Sequence, residues 1–278
     1  KQFFLLAMRY IELLKNDRGT LLILLLQAPA IGLILVLLIK YLLGTDTFSI
    51  NSISTSGINA EKTLFIMAFA AVMFGCINSA REIVKEAGIY RRERTVNLGI
   101  VPYLCSKFVV LGVLCLLQSA VLVLMVNFIS PFHQGIFLPV LIEIYISMAL
   151  TSLAGLTMGL AVSALVPNTD RGMSFVPLLL IPQVIFSGII FKLDGGAQFL
   201  GGFFAARWAM VAMGSSIGLH GRLVGADDFS FHGTLDGAYS KSEATQHLLL
   251  AWFVLVVMIV VLGLLTAYCL KRKDVRTR

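Results

Sequence analysis

Six long apolar segments, separated by polar and charged stretches, dominate the pattern of residues along the chain. Each is close to or longer than the roughly 20 residues that an α-helix needs to cross about 30 Å of hydrocarbon. Because backbone N–H and C=O groups must be paired within a bilayer, these segments are predicted to be helices rather than open strands. The predicted spans are residues 21–39, 63–80, 108–129, 136–166, 173–191 and 248–270.

This pattern predicts an all-α integral membrane fold with six transmembrane helices, built as a single domain of residues 1–278. The predicted parts are a connecting helix at 1–20, spans one to five within 21–191, an external loop at 192–247, span six at 248–270 and a cytoplasmic tail at 271–278. Within the external loop, residues 199–218 are apolar enough to form a short helix that re-enters the membrane.

The segment before the first span has the pattern of an amphipathic helix, with Arg9, Glu12 and Asn16 away from its apolar side. Its apolar residues recur at three- and four-residue spacing and are Phe3, Phe4, Ala7, Tyr10, Ile11 and Leu14. Such a helix is typical of a segment that lies at the membrane surface. A cytoplasmic extension of the first span fits the same pattern, and the sequence does not separate the two.

Composition and charge agree with a membrane protein and give its orientation. Hydrophobic residues make up 58% of the chain and charged residues 13%, against about 25% charged in a soluble domain. Of the 22 Lys and Arg residues, 16 fall in the predicted segments that share a face with the termini. By the positive-inside rule, both termini are predicted to be cytoplasmic, in a multi-pass protein of the cell inner (plasma) membrane. The net charge of +7 therefore reflects topology, and no nucleic-acid partner is predicted.

The loop after the second predicted span contains more than the basic residues that would be enough to set its orientation in the membrane. It mixes Arg and Lys with carboxylates, Tyr90 and an aliphatic stripe of Ile83, Val84 and Ile89. Helical spacing allows a Glu82–Lys85 pair, and Gly88 is expected to break the segment into a short hairpin. The mixture favours docking against another protein over a plain solvated loop.

Here the sequence resembles the membrane domain of ABCG-type (type-2 ABC) exporters, in particular bacterial half-transporters with forkhead-associated and ATPase domains upstream. The similar segments are Arg-Glu-Ile-Val-Lys-Glu at 81–86, Tyr-Arg-Arg-Glu-Arg at 90–94, Pro-Tyr-Leu-Cys-Ser-Lys at 102–107, Phe-Ser-Gly at 186–188 and Arg-Trp at 207–208. The resemblance implies an ATPase partner domain, upstream in the same polypeptide, that binds ATP and Mg²⁺. It also implies a dimer of two copies. The segment itself contains no Gly-x-x-x-x-Gly-Lys-Ser/Thr loop, so we expect no cofactor and no catalytic residue in it. Because the chain opens on Lys1 and has no signal peptide, we expect it to be part of a longer protein.

The resemblance also suggests functional residues. Those expected to couple to the ATPase are Arg81, Glu82, Glu86, Tyr90, Arg92 and Glu93. Those expected to line a substrate cavity are Phe65, Phe69, Phe74, Val184 and Ile185, with Ile189 and Ile190 as an external gate. These apolar side chains suit a lipid, a glycolipid or an amphipathic drug, but they suit helix packing or lipid contact equally well.

Two further features of the sequence are candidate sites. Glu143 is an ionisable residue about seven positions, or roughly 10 Å, inside the fourth predicted span. It is either a functional group within the membrane or a carboxylate that reaches headgroups or water. The external loop contains acidic and His residues without the spacing of a zinc or calcium site, so no metal is predicted. These residues are His220, Asp227, Asp228, His232 and Asp236.

The function predicted from all this is the permease domain of an ATP-driven exporter of a lipid, glycolipid or other amphipathic compound, working by alternating access in a dimer. Membrane lipids are the expected surroundings. The alternatives are a channel, a scaffold or a lipid-modifying membrane enzyme, each without an ATPase partner.

Overall fold

The computed structural model describes residues 2–49, 58–95, 98–133, 135–189, 196–219 and 241–276, and this part of the chain is helical, without a β-strand. The predicted all-α fold is therefore confirmed. In chain order the helices are α1 (Gln2–Asn16), α2 (Arg18–Leu38), α3 (Ile58–Ser79), α4 (Glu82–Lys85), α5 (Ala87–Thr95), α6 (Ile100–Ile129), α7 (Val140–Leu165), α8 (Thr169–Ile185), α9 (Gly196–Gly201), α10 (Ala205–Ile217) and α11 (Lys241–Arg276); a π-helical turn, Ile39–Leu43, extends α2.

Among the described residues, five helical stretches are long and apolar enough to cross a membrane. They are Arg18–Leu43, Ile58–Lys85, Ile100–Ile129, Val140–Leu165 and Ala244–Lys273, and they match the first four predicted spans and the sixth. The fifth predicted span, 173–191, coincides with α8, which has 17 residues and contains Pro177 and Pro182. A straight helix of this length covers about 26 Å, less than the hydrocarbon thickness. The count of six spans therefore stays a prediction.

Helix α7 lies at the centre of the bundle and contacts α3, α6, α10 and α11. Its contact with α3 is so close that a side chain does not fit between the two backbones. A Cβ on Gly75 would lie 2.1 Å from the backbone oxygen of Ser152, and a Cβ on Gly155 would lie 2.4 Å from that of Val72. Small residues at such crossings are a common way for membrane helices to pack.

Both termini of the described chain lie at the same end of the bundle. Helix α1 packs against the start of α6. At the other terminus, Lys273 of α11 donates a hydrogen bond to the carbonyl of Val166, just after α7 (Nζ–O 3.1 Å). We call this end, which contains α1, α4, α5, the start of α6 and the residues around Val166 and Lys273, the basic end.

Helix α1 is a helix in its own right rather than a straight continuation of the first span. The backbone leaves the helical conformation at Asp17 (φ −86°, ψ 68°), and the Asp17 carboxylate accepts a hydrogen bond from the N–H of Thr20 to cap α2. Of the predicted apolar stripe, Tyr10 is buried, whereas Phe4 and Ile11 remain exposed. The exposed apolar residues suit a helix at the membrane interface.

At the opposite end, the fourth predicted span starts later than expected. Helix α7 begins at Val140, so Glu143 lies in its first turn rather than two turns inside a span. Its fully buried carboxylate accepts hydrogen bonds from the backbone N–H groups of Ile136, Phe137 and Leu138 at 2.9–3.1 Å. Glu143 therefore holds the turn before α7 and faces neither lipid nor headgroups.

This arrangement predicts a structural phenotype for Glu143→Gln. The uncharged amide weakens the bonds to three N–H donors and turns an NH₂ group towards them, so stability should fall by about 1–3 kcal/mol. Thermal unfolding in detergent measures this loss, with Ser174→Ala on the exposed side of α8 as the control. A normal unfolding midpoint combined with an altered pH dependence of transport would instead indicate a proton-handling role.

A short helix is present within the predicted re-entrant segment. All residues of α10 are buried, and the helix contacts α3, α7 and α11. Gln183 of α8 binds its first turn, because the side-chain Oε1 accepts a hydrogen bond from the N–H of Ala206 at 2.9 Å. At its other end, the carbonyl of Ser216 accepts a hydrogen bond from the N–H of Gly135 (3.0 Å). Helix α10 is thus an integral part of the bundle.

Candidate coupling site at the basic end

A buried Lys lies at the centre of the basic end. Lys107, in the second turn of α6, has a side chain with 2% relative exposure. Its Nζ lies 2.6 Å from Oε1 of Glu86 and 4.0 Å from Oε2 of Glu82, and both carboxylates are largely buried. A charge removed from water in this way is stable only with a partner close by. The pairing therefore holds the loop after α3 against α6.

Tyr10 of α1 completes this buried cluster. Its hydroxyl donates a hydrogen bond to Oε2 of Glu82 at 2.5 Å, and the Nζ of Lys107 lies 3.6 Å from the centre of its ring, within cation–π range. Burial, followed by the nearby carboxylate of Glu82, raises the pKa of the Tyr10 hydroxyl well above its usual value. The hydroxyl therefore stays protonated and remains a donor. We call Tyr10, Glu82, Glu86 and Lys107 the Lys107 cluster.

Two further contacts join the elements around the cluster. Arg9 of α1 forms an ion pair with Glu93 of α5, and this hydrogen bond raises the pKa of the Arg9 guanidinium. Tyr90 of α5 packs on Tyr103 of α6, with ring centroids 4.9 Å apart. Helix α5 is therefore attached to both α1 and α6.

The predicted hairpin between the second and third spans is present as α4 and α5, but it breaks at a different residue. The helix is interrupted at Glu86 (φ −99°, ψ 8°), whereas Gly88 lies inside α5. Turning the chain at Glu86 allows its side chain to reach Lys107. The hairpin is also bound to α7, because Oγ of Ser163 accepts hydrogen bonds from the N–H groups of Ile83 and Val84 at 2.9 and 3.1 Å.

The local Glu82–Lys85 pair predicted from helical spacing was wrong. Glu82 turns inward to Tyr10 and Lys107, and Lys85 pairs with Asp17 at 3.3 Å. The Lys85–Asp17 pair is exposed, with side-chain exposures of 52% and 42%. The hydrogen bonds with Thr20 and then the pair with Lys85 lower the pKa of the Asp17 carboxyl. An exposed pair of this kind contributes little to stability.

The structure brings together most of the residues expected to couple to an ATPase, but it directs them inward. Glu82, Glu86, Tyr90 and Glu93 contact other elements of this chain, Arg81 is half-buried and Arg92 is exposed. Sequence reasoning did not assign to this site the residues of other elements that hold the hairpin, which are Arg9, Tyr10, Ser163 and Lys107. The one available signal was Lys107, a charge within an otherwise apolar helical pattern.

The predicted cavity residues divide into two groups. Phe74 is fully buried in the core of this chain, so here it is a packing residue. Phe65 and Phe69 are half-buried with ring centroids 6.2 Å apart, and Val184 and Ile185 are half-buried and exposed, respectively. Ile189 packs against the core, while Ile190 lies outside the described residues. The acidic and His residues of the external loop that were considered as a metal site, within 220–236, also lie outside them.

Comparison with known proteins agrees with this architecture. The sequence pattern of the ABC-2 type transporter family matches residues 1–215. The ABC transporter ATP-binding/permease protein Rv1747 of Mycobacterium tuberculosis strain H37Rv is 25% identical to the chain over 234 residues. That alignment covers 79% of this chain and 26% of the relative, so the chain spans about a quarter of the length of the curated relative that it matches. With a family match over most of its length, and five long apolar helices among the residues that the structure describes, the chain belongs to the ABC-2 type transporter family and is a transporter membrane domain.

Proposed function

We propose that the chain is the permease part of an ATP-driven exporter that moves a lipid, glycolipid or other amphipathic compound outward. ATP and Mg²⁺ are bound by an ATPase domain, and the relative's name, an ATP-binding/permease protein, supports a fusion of the two parts in one polypeptide. The observation that carries the proposal is the Lys107 cluster. It joins α1, the α4–α5 hairpin and α6 into one body at the end where an ATPase domain can act.

The exposed surface of the hairpin is the proposed contact for the ATPase. Ile89 is 49% exposed and Arg92 is exposed on the same helix. Because the opposite side of the hairpin is bound to α1, α6 and α7, a push on Ile89 or Arg92 moves these helices rather than the hairpin alone. This end is proposed to be cytoplasmic, since it holds most of the Lys and Arg residues.

The transport pathway is proposed to form between two copies of the chain, because one copy offers only one wall of it. The half-buried Phe65 and Phe69 and the exposed Ile185 are apolar and suit the apolar part of an amphipathic substrate. Closing the two ATPase domains is expected to switch the cavity between these walls from inward-facing to outward-facing.

The Arg9–Glu93 ion pair provides the test. In the full-length transporter reconstituted in liposomes, Glu93→Ala is expected to reduce substrate-stimulated ATP hydrolysis and transport about 5-fold to 30-fold, equivalent to about 1–2 kcal/mol of coupling. The reason is that α1 and α5 then no longer move together. ATP hydrolysis and substrate flux are measured on the same preparation.

A double-mutant cycle makes this test specific. Arg9→Ala/Glu93→Ala should be no worse than either single variant, because each removes the same pair. Lys15→Ala, an exposed cation on the same helix as Arg9, is the matched control and should behave like the parent. Unchanged hydrolysis and transport in Glu93→Ala would contradict the coupling role. A chain that transports without any ATP dependence would favour a channel.

A further inference from the structure

A buried carboxylate lies near the end of the bundle opposite the basic end. Glu61 is in the first turn of α3, which ends beside α4, and the residue has 7% relative exposure. Within the part of the chain that the structure describes, no group forms a hydrogen bond or ion pair with its carboxylate. The next residue, Lys62, is exposed and acts on Glu61 only through its charge.

The lack of a partner distinguishes Glu61 from the two other buried carboxylates among the described residues. Glu82 accepts a hydrogen bond from Tyr10, and Glu143 accepts hydrogen bonds from three backbone N–H groups. A buried carboxylate without such a partner lowers the stability of a fold, and in a membrane helix it indicates a functional site. The partner of Glu61 is therefore expected to be a cation that binds from outside the described chain.

An aromatic surface lies next to this carboxylate on the same helix. Phe65 follows Glu61 by about one turn, a spacing that places the two Cβ atoms about 5–6 Å apart. Phe65 and Phe69 are both half-buried, and their ring centroids lie 6.2 Å apart. With the half-buried Ile66 they form an accessible apolar stripe on α3, and Glu61 lies at its border. A carboxylate beside accessible aromatic rings suits an organic cation, because both the charge and the ring faces attract it.

We propose that Glu61, Phe65 and Phe69 bind the cationic group of an amphipathic substrate, so that the transporter accepts lipophilic organic cations. The carboxylate supplies the opposite charge, and the rings contact the apolar groups around an ammonium or phosphonium centre. A metal ion fits less well, because one carboxylate beside two phenyl rings provides too few oxygen ligands. The inference rests on the proposed export function, since it names the substrate class of that pathway.

Tetraphenylphosphonium and tetraphenylborate test the inference, because the two ions have the same shape and opposite charges. Their binding to the full-length transporter in nanodiscs of zwitterionic lipid is measured by equilibrium dialysis without ATP, with empty nanodiscs as the background. Glu61→Gln is expected to weaken tetraphenylphosphonium binding about 10-fold, because it removes the only charge that faces the cation in a partly dry site. Tetraphenylborate binding should not weaken. An unchanged affinity for tetraphenylphosphonium would overturn the proposal.

Two control variants change charges close to the site. Asp46→Asn removes an exposed carboxylate between the π-helical turn and α3, and it should leave tetraphenylphosphonium affinity within about twofold of the parent. Lys62→Gln removes the neighbouring exposed cation and should not weaken this binding. A loss in Asp46→Asn equal to that in Glu61→Gln would mean that only general surface charge attracts the cation, and it would overturn the site.

Thermal unfolding separates a binding role from a structural one. Because the Glu61 carboxylate is buried without a partner, Glu61→Gln should leave the unfolding midpoint unchanged or raise it. A lower midpoint, or a failure to fold, would show that the carboxylate is bonded within the transporter, including to a second copy, and would overturn the proposal. Phe65→Ala removes one ring and preserves the charge, so it should weaken binding of both ions about 5-fold. Unchanged binding of both ions in this variant would contradict the aromatic part of the site.

Failure of this inference is distinguishable from failure of the proposed function. Binding of tetraphenylphosphonium that depends on Glu61, without ATP-driven transport in liposomes, would retain the site and count against export. ATP-driven transport of a lipid by a transporter that does not bind tetraphenylphosphonium would retain export and overturn the cation site.

Discussion

Replacing Lys107 with Met in the full-length transporter is expected to abolish coupled transport and to destabilise the protein by about 3–5 kcal/mol. The substitution preserves the apolar stem but leaves the carboxylates of Glu82 and Glu86 buried without their cation. It also removes the charge that lies against the Tyr10 ring. Substrate-stimulated ATP hydrolysis and the midpoint of thermal unfolding in detergent measure the two effects.

The chain contains a matched control for this prediction. Lys85 pairs with Asp17 at the same end, but that pair is exposed, so Lys85→Met should cost less than about 1 kcal/mol. Adding Glu86→Gln to Lys107→Met should recover part of the stability, because it removes one of the unpaired carboxylates. Equal effects of Lys85→Met and Lys107→Met, or no recovery in the double variant, would contradict the role of the Lys107 cluster.

Gly75→Leu is expected to prevent α3 and α7 from packing and to leave little folded transporter. A Cβ at Gly75 meets the backbone of Ser152 and, at 2.3 Å, the backbone nitrogen of Leu156. Backbone atoms cannot turn aside as a flexible side chain can, so the helices must separate and lose the largest contact in the bundle. Fluorescence-detected size-exclusion chromatography should show the monodisperse peak reduced by about tenfold or more.

Gly263 of α11 gives the comparison. No atom lies within 4 Å of a Cβ built there, so Gly263→Leu should leave the chromatographic peak close to that of the parent. Gly75→Ala is the intermediate case and should lower the yield less than Gly75→Leu. A normal peak for Gly75→Leu would mean that α3 and α7 are not in backbone contact.

The spans were predictable because burial in lipid demands long apolar segments, and five of the six appear as long helices. Their boundaries were less predictable. Helix α3 begins at Ile58, before the predicted span, and includes Glu61, which is 7% exposed. In a sequence, a charged residue indicates the end of an apolar segment. In the fold, the same residue can lie within a helix and be buried by packing. Glu143 is the opposite case, because its position in the sequence suggested a charge inside a span. The backbone N–H groups that bind its carboxylate come together only when the turn before α7 forms.

The region of the candidate site could be predicted from the sequence, but the side chains that pair within it could not. The four acidic and aromatic residues of 81–94 marked the hairpin, and each of them contacts another element of this chain. Their partners could not be found by local spacing, because Lys107 and Glu86 meet only when α6 and the hairpin pack. Local spacing suggested Glu82–Lys85, whereas burial pairs Glu82 with Lys107, since an unpaired buried charge costs far more than an exposed one.

Helix α8 contains two interior prolines, whereas α3 and α7, the glycine-packed pair, contain none. Pro177 and Pro182 lack the N–H that would bond four residues back, so α8 bends at a lower energy cost than α3 or α7. The Gln183 side chain accepts a hydrogen bond from the N–H of Ala206 in the first turn of α10, so bending of α8 is expected to act on a helix whose residues are all buried. We therefore expect any bending of α8 to displace α10, while the glycine-packed pair α3 and α7 changes less.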